Sequence, residues 1–545
     1  MDILKKIANE LNISQGQVKN TVELIDEGCT IPFIARYRKE RTGALDDQLL
    51  RELYDRLTYL RNLISRKEEI LRLIDEQGKL TDEIRASLEA AETMTEVEDI
   101  YRPYKPKKRT KAMIAREMGL EPLALLIEAQ ELERGDIFQI AKEYINEDLG
   151  VDSEEKAVEG ALFIIAENIS DNAEVRKHLR ALIFNRGIIE SKATKDEDTV
   201  YRMYYEYSEG IAKIANHRIL ALDRGEAESA LSVKIVIPDE AALDLISSFV
   251  IKNKSSISYT YMQDAVSDAY KRLIFPSVER EIRNMLTQRA QEEAIKVFAV
   301  NLKHLLLAAP FKDKTVLGLD PAYRTGCKIA VIDKTGKVLD TCVVYPTPPQ
   351  MKTEEAKAKL RQLIIKHNVD IISIGNGTAS KESEVFVSEL ISELDRKVLY
   401  AVVSEAGASV YSASKLAAEE FPEFDVSLRS AVSIARRLQD PLAGLVKIDP
   451  KAIGVGQYQH DMNQKRLAES LGGVVEDCVN SVGVDVNTAS PALLSFVSGI
   501  NGTVAGNILK YREENGAFTS RKQLKKVPKL GDKAFDQCAG FLRIY

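Results

Sequence analysis

Between Ser277 and Ala309 there are 33 residues without a glycine or a proline. Pro276 stands just before the run and Pro310 just after it, edge positions where proline is tolerated. As one helix the run would be roughly 50 Å long, at about 1.5 Å per residue. That is too long for one compact bundle, so the run predicts a long central helix within 261–311, a spacer or spine between domains. A length of 545 residues, at about 150 per domain, agrees with three to four domains.

The residues before the run read almost wholly as helix. Leu4, Ile7 and Leu11 fall at helical spacing. Asn12 to Ser14 breaks that helix, and Ser14 with Gln17 forms a capping-box pattern for a second helix, 15–26, ending at Glu27-Gly28. Helix, short turn, capped helix resembles a helix-turn-helix, and equally any two-helix corner. Further helices are predicted at 45–76, 81–91, 134–146, 153–168 and 171–184, and short strands near 198–238. A basic run, Lys105, Lys107, Lys108, Arg109 and Lys111, follows Tyr101 and Tyr104. Cations with interleaved aromatics suit single-stranded nucleic acid; the alternative is a solvated loop balanced by Glu96, Glu98 and Asp99. Arg36, Arg38, Lys39 and Arg41 around Tyr37 form a weaker version.

After the run the pattern alternates. Strands are predicted at 315–320, 327–333, 338–345, 370–375 and 398–404, and helices at 353–367, 380–394, 409–420 and 429–438. This is an α/β domain with a mixed sheet. The apolar run Val316 to Leu319 delivers Asp320 to a strand end, before a tight turn and a second apolar run. A hairpin carrying one carboxylate at its rim resembles the entry to the ribonuclease-H-like nuclease fold. Cleavage of that kind needs several carboxylates around two cations about 4 Å apart. Glu405 ends a later strand and is the second candidate, but Asn376 stands where another acid is expected. Asp440, Asp449 and Asp461 compete for the third place. The set Asp320, Glu405, Asp440 therefore reads as vestigial, with Mg²⁺ expected only if the domain still cuts, and no other cofactor or resident metal. Gly375-x-Gly377 lacks the rest of a P-loop or dinucleotide motif.

Near the C-terminus two segments read as helix, hairpin, helix. The first centres on Gly499, Asn501, Gly502 and Thr503; the second runs through Lys525, Lys526, Lys529, Gly531 and Lys533. Small residues allow a sharp turn, and the exposed amides with the following helix N-terminus meet a phosphate without reading a base. Asn501 replaces one hairpin glycine, being comparatively tolerant of left-handed geometry; Lys529 replaces another, either adding a phosphate contact or impairing the turn. From 505 to 545 nine basic residues face four acidic ones. The whole chain is acidic, with net charge −7, so any nucleic-acid surface is local.

Cys29, Cys327, Cys342, Cys478 and Cys538 are scattered without metal-ligand spacing and read as thiols of a reducing compartment. The opening MDILKKIANELN is an amphipathic helix and not a signal peptide. No apolar run approaches 18 residues. Cytoplasmic location and no membrane partner are the expectation. Of the five histidines only His460 lies in a segment with a functional look, Gly454 to Asp461.

Six segments carry a closer resemblance: IPFIARYRKERTGALDD (31–47), EDIYRPYKPKKRTKA (98–112), LGLDPAYRTGCKIAVID (317–333), IGNGTASKESE (374–384), VSEAGASVYSAS (403–414) and DPKAIGVGQYQHD (449–461). In this order they resemble the bacterial Tex family of transcription accessory proteins, over essentially the whole chain. The resemblance implies a mainly α, multidomain protein with one α/β (RNase H-like, YqgF) domain, a long central helix and tandem helix-hairpin-helix units. The implied plan is a helix-turn-helix-like unit at 1–70, a helical region at 71–260, the long helix at 261–311, YqgF at 312–446, a linker at 447–464 and the hairpins at 465–545. Family members normally continue into an RNA-binding β-barrel, which this chain is expected to lack. The expected function is binding of RNA or DNA without strong sequence preference, with the transcription machinery as a possible partner and a monomeric state. A metal-dependent structure-selective nuclease and a protein-interaction scaffold are the alternatives.

Overall fold

The computed structural model describes every residue except Met1, Lys107, Asp196 and Tyr545. Two compact units are present. One comprises Met1–Glu10 with Glu52–Glu293, the other Leu11–Arg51 with Ala294–Tyr545.

The first unit is helical around a small sheet. Strands β1 (Ile188–Ala193), β2 (Glu206–Gly210) and β3 (Leu231–Val236) form an antiparallel sheet in the order β2-β1-β3. The short strands expected near 198–238 are thus β2 and β3, joined to β1 just outside that window. A charged knot is buried in this unit. Arg176, fully buried, donates through Nε to Asp99 (3.0 Å) and pairs with Glu281 through Nη2. Arg180 donates to the same two carboxylates, at 2.8 Å each.

The long helix is Phe275–Leu306, and it continues upstream through a π-helical turn, Ala269–Ile274, into Tyr259–Asp268. No loop interrupts 280–305. Pro276 therefore lies inside helical structure and not before its start. In an α-helix a proline at 276 would lose its bond to the Arg272 carbonyl and crowd it. Here Phe275 N–H reaches back five residues to Tyr270 O, and the widened turn accommodates the ring.

In the second unit, strands β4 (Val316–Asp320), β5 (Cys327–Ile332), β6 (Val338–Val344), β7 (Ile371–Gly375) and β8 (Leu399–Val403) form a mixed sheet in the order β6-β5-β4-β7-β8. The pairs β4–β5 and β5–β6 are antiparallel; β4–β7 and β7–β8 are parallel. Parallel strands need crossover helices. These are Thr353–His367 and Ser380–Ser392, which cover one face with Leu360, Ile364, Phe386 and Leu390. Helix Val426–Gln439 covers the other with Ala431, Val432, Ala435 and Leu438. That helix comes so close to β4 that a Cβ on Gly318 would overlap the Ala431 carbonyl. Short parallel strands β9 (Val484–Asp485) and β10 (Leu542–Arg543) tie the C-terminal helical hairpins together. Among the described residues no helix is long and apolar enough to cross a membrane, and all five cysteines are free.

Candidate nucleic-acid interface

Both C-terminal hairpins form, with the same backbone plan and different chemistry. In the first, Gly499 takes the left-handed turn (φ +78°) and Ile500 is buried beneath it. Asn501 is not left-handed, as its sequence position suggested. It is extended (φ −97°, ψ 172°) and caps the helix Gly502–Asn515, its Oδ1 accepting from Val504 N–H at 3.0 Å. The cap satisfies the third amide of the helix and leaves those of Gly502 and Thr503 facing out, since the first turn has no partner carbonyls. Asn501, Gly502 and Thr503 are exposed, and no acid lies in this first turn.

In the second hairpin Lys529 occupies the place of Gly499 and adopts its conformation (φ +66°). The turn is therefore made despite the missing glycine, at a cost of about 1–2 kcal/mol for a side chain in that region. Leu530 is buried as Ile500 is. Gly531 opens the helix Asp532–Cys538, which has only seven residues. Asp532 sits in its first turn, and Lys525 Nζ lies 3.0 Å from that carboxylate and 4.8 Å over the Phe535 ring. A carboxylate fills the position where a phosphate would be drawn.

Lys533 departs furthest from expectation. Its ammonium, though exposed, donates to the carbonyl of Glu27. Arg512 donates to the carbonyls of Val486 and Ala489, and Arg521 to that of Leu542. Lys526 and Lys529, with Lys522, which the sequence had not singled out, are exposed, and their ammonium groups have no ion pair or hydrogen bond among the described residues. Asn507 Nδ2 donates to Pro528 O at 2.7 Å, which holds the Lys529 turn against the helix 502–515. The outward amides and the lysines thus belong to one module.

The sheet carries a second cluster. Asp320 ends β4, and burial pushes its carboxyl up to about 6; the Ser430 hydroxyl opposes the shift, and the Glu405 charge adds to it. Glu405 lies over the end of β7: a Cβ on Gly375 would meet its Oε2 at 2.7 Å and the ring of Pro321, next to Asp320, at 3.1 Å. Asn376 Oδ1 accepts the Glu405 amide at 3.0 Å. Asp440 is not in this cluster. Its neighbour Gln439 donates to Lys314 O, before β4 begins, so Asp440 lies at the opposite end of the strands, about 17 Å away for five strand residues. There its Oδ1 caps the short helix Pro441–Leu445. Ser430 faces Asp320 instead of a third acid. Among the described residues no group of three or more His, Cys, Asp or Glu could hold a metal ion. Two carboxylates with an amide and a hydroxyl fit a two-cation centre poorly.

Arg437, which sequence reasoning passed over, runs beneath Glu405. Its Nη1 donates to Ser404 O (2.8 Å) and Ala406 O (2.7 Å), while Nε and Nη2 are buried without a hydrogen-bond partner among the described residues. Burial pulls this guanidinium down to about 10, against the opposing Glu405 charge. Spacing was the available signal: Arg437 stands three residues after Ile434, on the side of the helix that packs on the sheet.

In the first unit, Lys105, Lys108 and Arg109 are exposed, and Arg109 pairs with Glu117 at 2.9 Å. Lys107 lies outside the described residues. Tyr101 offers no stacking face, because it is buried at the end of helix Met94–Tyr101 with Arg66 over its ring. Tyr104 is half-buried in a 3₁₀ turn. In the second unit, three cations of the weaker basic patch already have partners. Arg36 donates to Asn480 O, Arg38 stacks on Phe33, and Arg41 pairs with Glu23. The capping box of Ser14 and Gln17 is present. Gln17 and Asn20, the side chains a groove-reading helix would aim at bases, donate instead to the carbonyls of Thr42 and Arg41.

Family models match four segments of the chain. They are the Tex-like protein N-terminal domain at 1–75, the Tex central region-like segment at 135–298, the Tex protein YqgF-like domain at 314–439 and the helix-hairpin-helix motif at 479–543. The chain is 52% identical to the uncharacterized protein YdcI of Bacillus subtilis, covering 99% of this chain and 76% of that protein. It is 50% identical to the transcriptional accessory protein Tex of Neisseria gonorrhoeae, over 100% and 72%. It is 39% identical to the human S1 RNA-binding domain-containing protein 1, over 100% and 56%.

Proposed function

Since the chain belongs to the Tex family, we propose that it is a transcription accessory protein that grips the backbone of RNA or DNA without reading its sequence. The outward amides of Gly502 and Thr503, beside Lys522, Lys526 and Lys529, carry this reading. They offer donors and positive charge and nothing shaped to a base edge. The name of the Neisseria relative, a transcriptional accessory protein, supports placing this binding beside transcription.

The test is a titration of fluorescent single- and double-stranded oligonucleotides at several salt concentrations. Changing Lys522, Lys526 and Lys529 together to Glu is expected to weaken binding about tenfold, alike for every sequence. The slope of log affinity against log salt should lose up to about three for duplex, roughly 0.9 per phosphate contact. Lys105→Glu with Lys108→Glu should have a smaller effect, mainly on single strands. Unchanged affinity and slope after the triple substitution would overturn the assignment.

The pairing of Asp320 with Glu405 keeps a nuclease reading in view. With Asn376 and Ser430 in place of further acids, no cleavage of single strands, duplexes or four-way junctions is expected with Mg²⁺ or Mn²⁺. Metal-dependent cutting that disappears in Asp320→Asn would establish the opposite.

A further inference from the structure

The helix of the second hairpin is built for a different contact from that of the first. Its helix Asp532–Cys538 lies against the corner Glu27–Thr30, which follows helix Gln15–Asp26. Three side-chain bonds join them. Lys533 Nζ donates to Glu27 O, Gln537 Nε2 donates to Gly28 O (3.2 Å), and Thr30 N–H donates to Gln537 Oε1 (3.0 Å). The Gln537 amide thus bridges the corner with both its ends. The Glu27 and Gly28 carbonyls close a helix C-terminus, where an ammonium is favoured. Gly28 is left-handed (φ +78°), and a Cβ there would sit 3.3 Å from Lys533 Nζ. A fourth bond, between the hydroxyls of Thr30 and Ser498, reaches the residue before Gly499. Gly499 in turn packs on the same short helix, its place for a Cβ lying 2.9 Å from Ala534 O.

We propose that the two hairpin helices have divided their roles: the N-terminus of the first, with Lys522, Lys526 and Lys529 beside it, meets nucleic-acid phosphate, and the second, Asp532–Cys538, is a clamp, with Lys533 and Gln537 as positioning residues that fasten the Glu27–Thr30 corner of the N-terminal helical pair. Three observations converge on the division. The ammonium of Lys533 is committed to a carbonyl. Asp532 and Lys525 neutralise each other at the helix start. The bridging amide of Gln537 is buried, with its donor and its acceptor both used. The first half of the proposal rests on the function proposed above; the clamp does not.

The experiment compares Lys533→Met with Gln537→Ala, made together in the full chain, against the unmodified protein and Lys533→Arg. Two quantities are read: the salt slope of duplex binding, and deuterium uptake in peptides spanning 27–34. The Thr30 amide is the donor to Gln537, so its exchange reports the clamp directly. The double change is expected to speed exchange in that segment at least tenfold while affinity stays within twofold and the slope is unchanged. Lys533→Arg, which keeps a donor on a long stem, should retain most of the protection. A slope reduced by about one, with exchange unaltered, would make Lys533 a phosphate contact and overturn the division. If the unmodified chain binds no duplex even at low salt, the proposed function falls and the first hairpin's role with it. Exchange then decides the clamp alone: faster exchange in the double variant supports it, and unaltered exchange overturns it.

Discussion

Arg176→Met is expected to destabilise the first unit by about 3–5 kcal/mol, the usual result of breaking a buried ion pair from one side. Arg176 is fully buried and holds Asp99, itself 6% exposed, at 3.0 Å. Without it Asp99 and Glu281 must share Arg180, and a carboxylate in low dielectric loses half its compensation. Burial pushes the Glu281 carboxyl up, but Arg176 and Arg180 outweigh it and hold the group below its ordinary 4.5. A carboxyl lowered in the folded state contributes stability that is lost as pH falls through its folded value. The penalty of Arg176→Met should therefore shrink below about pH 4.5. Combining it with Asp99→Asn should cost less than the sum of the single changes, because the orphaned charge is removed with its partner. The chain has no tryptophan, so deuterium uptake in Ala173–Arg186 is the suitable readout. Equal uptake in the variant and the unmodified chain at pH 7 would refute the expectation.

Asp320→Asn should act in the other direction and stabilise the α/β domain at neutral pH, on the order of 2–3 kcal/mol. Burial, aided by Glu405, pushes the Asp320 carboxyl up to about 6, above its value in an unfolded chain. The folded state then binds the proton more tightly. Stability is fullest below about pH 4, falls as pH rises toward 6, and is level beyond. Asparagine keeps an acceptor for Ser430 and carries no charge to desolvate. The gain should be present at pH 7.5 and absent at pH 3.5, as read by thermal or urea unfolding. A variant equal to or weaker than the unmodified chain at pH 7.5 would show that Asp320 is better solvated than its burial implies.

The sheet was legible because its signal is local. Each of the five strands is a short apolar run between turn residues, and each was placed within about one residue at either end. The small sheet in the first unit was blurred, since β2 reads EYSEG, with little apolar content. Glu405 could be read beside Asp320 because both stand at the C-terminal ends of parallel strands, β8 and β4, on either side of β7. Asp440 could not be rejected from sequence. An acid after a helix looks the same whichever end of the sheet that helix has reached, and only the bond of Gln439 to Lys314 O shows the direction. Lys533 was misread for another reason: its partner lies 506 positions away, beyond any local pattern. Lysines in a basic segment look alike until the fold assigns some of them to carbonyls.

The π-turn at Ala269–Ile274 lets a proline ride inside the rod. Each residue in an α-helix advances the azimuth by about 100°, and the widened turn takes up one residue more within a single revolution. The helix beyond it therefore keeps its phase, and Val278, Ile282, Leu286 and Ala290 stay buried together. Deleting a single residue there would restore ordinary winding with little change in that face, but Pro276 would then meet the carbonyl it presently avoids. Among homologous chains, a one-residue gap in this stretch and the loss of the proline at 276 should therefore occur together.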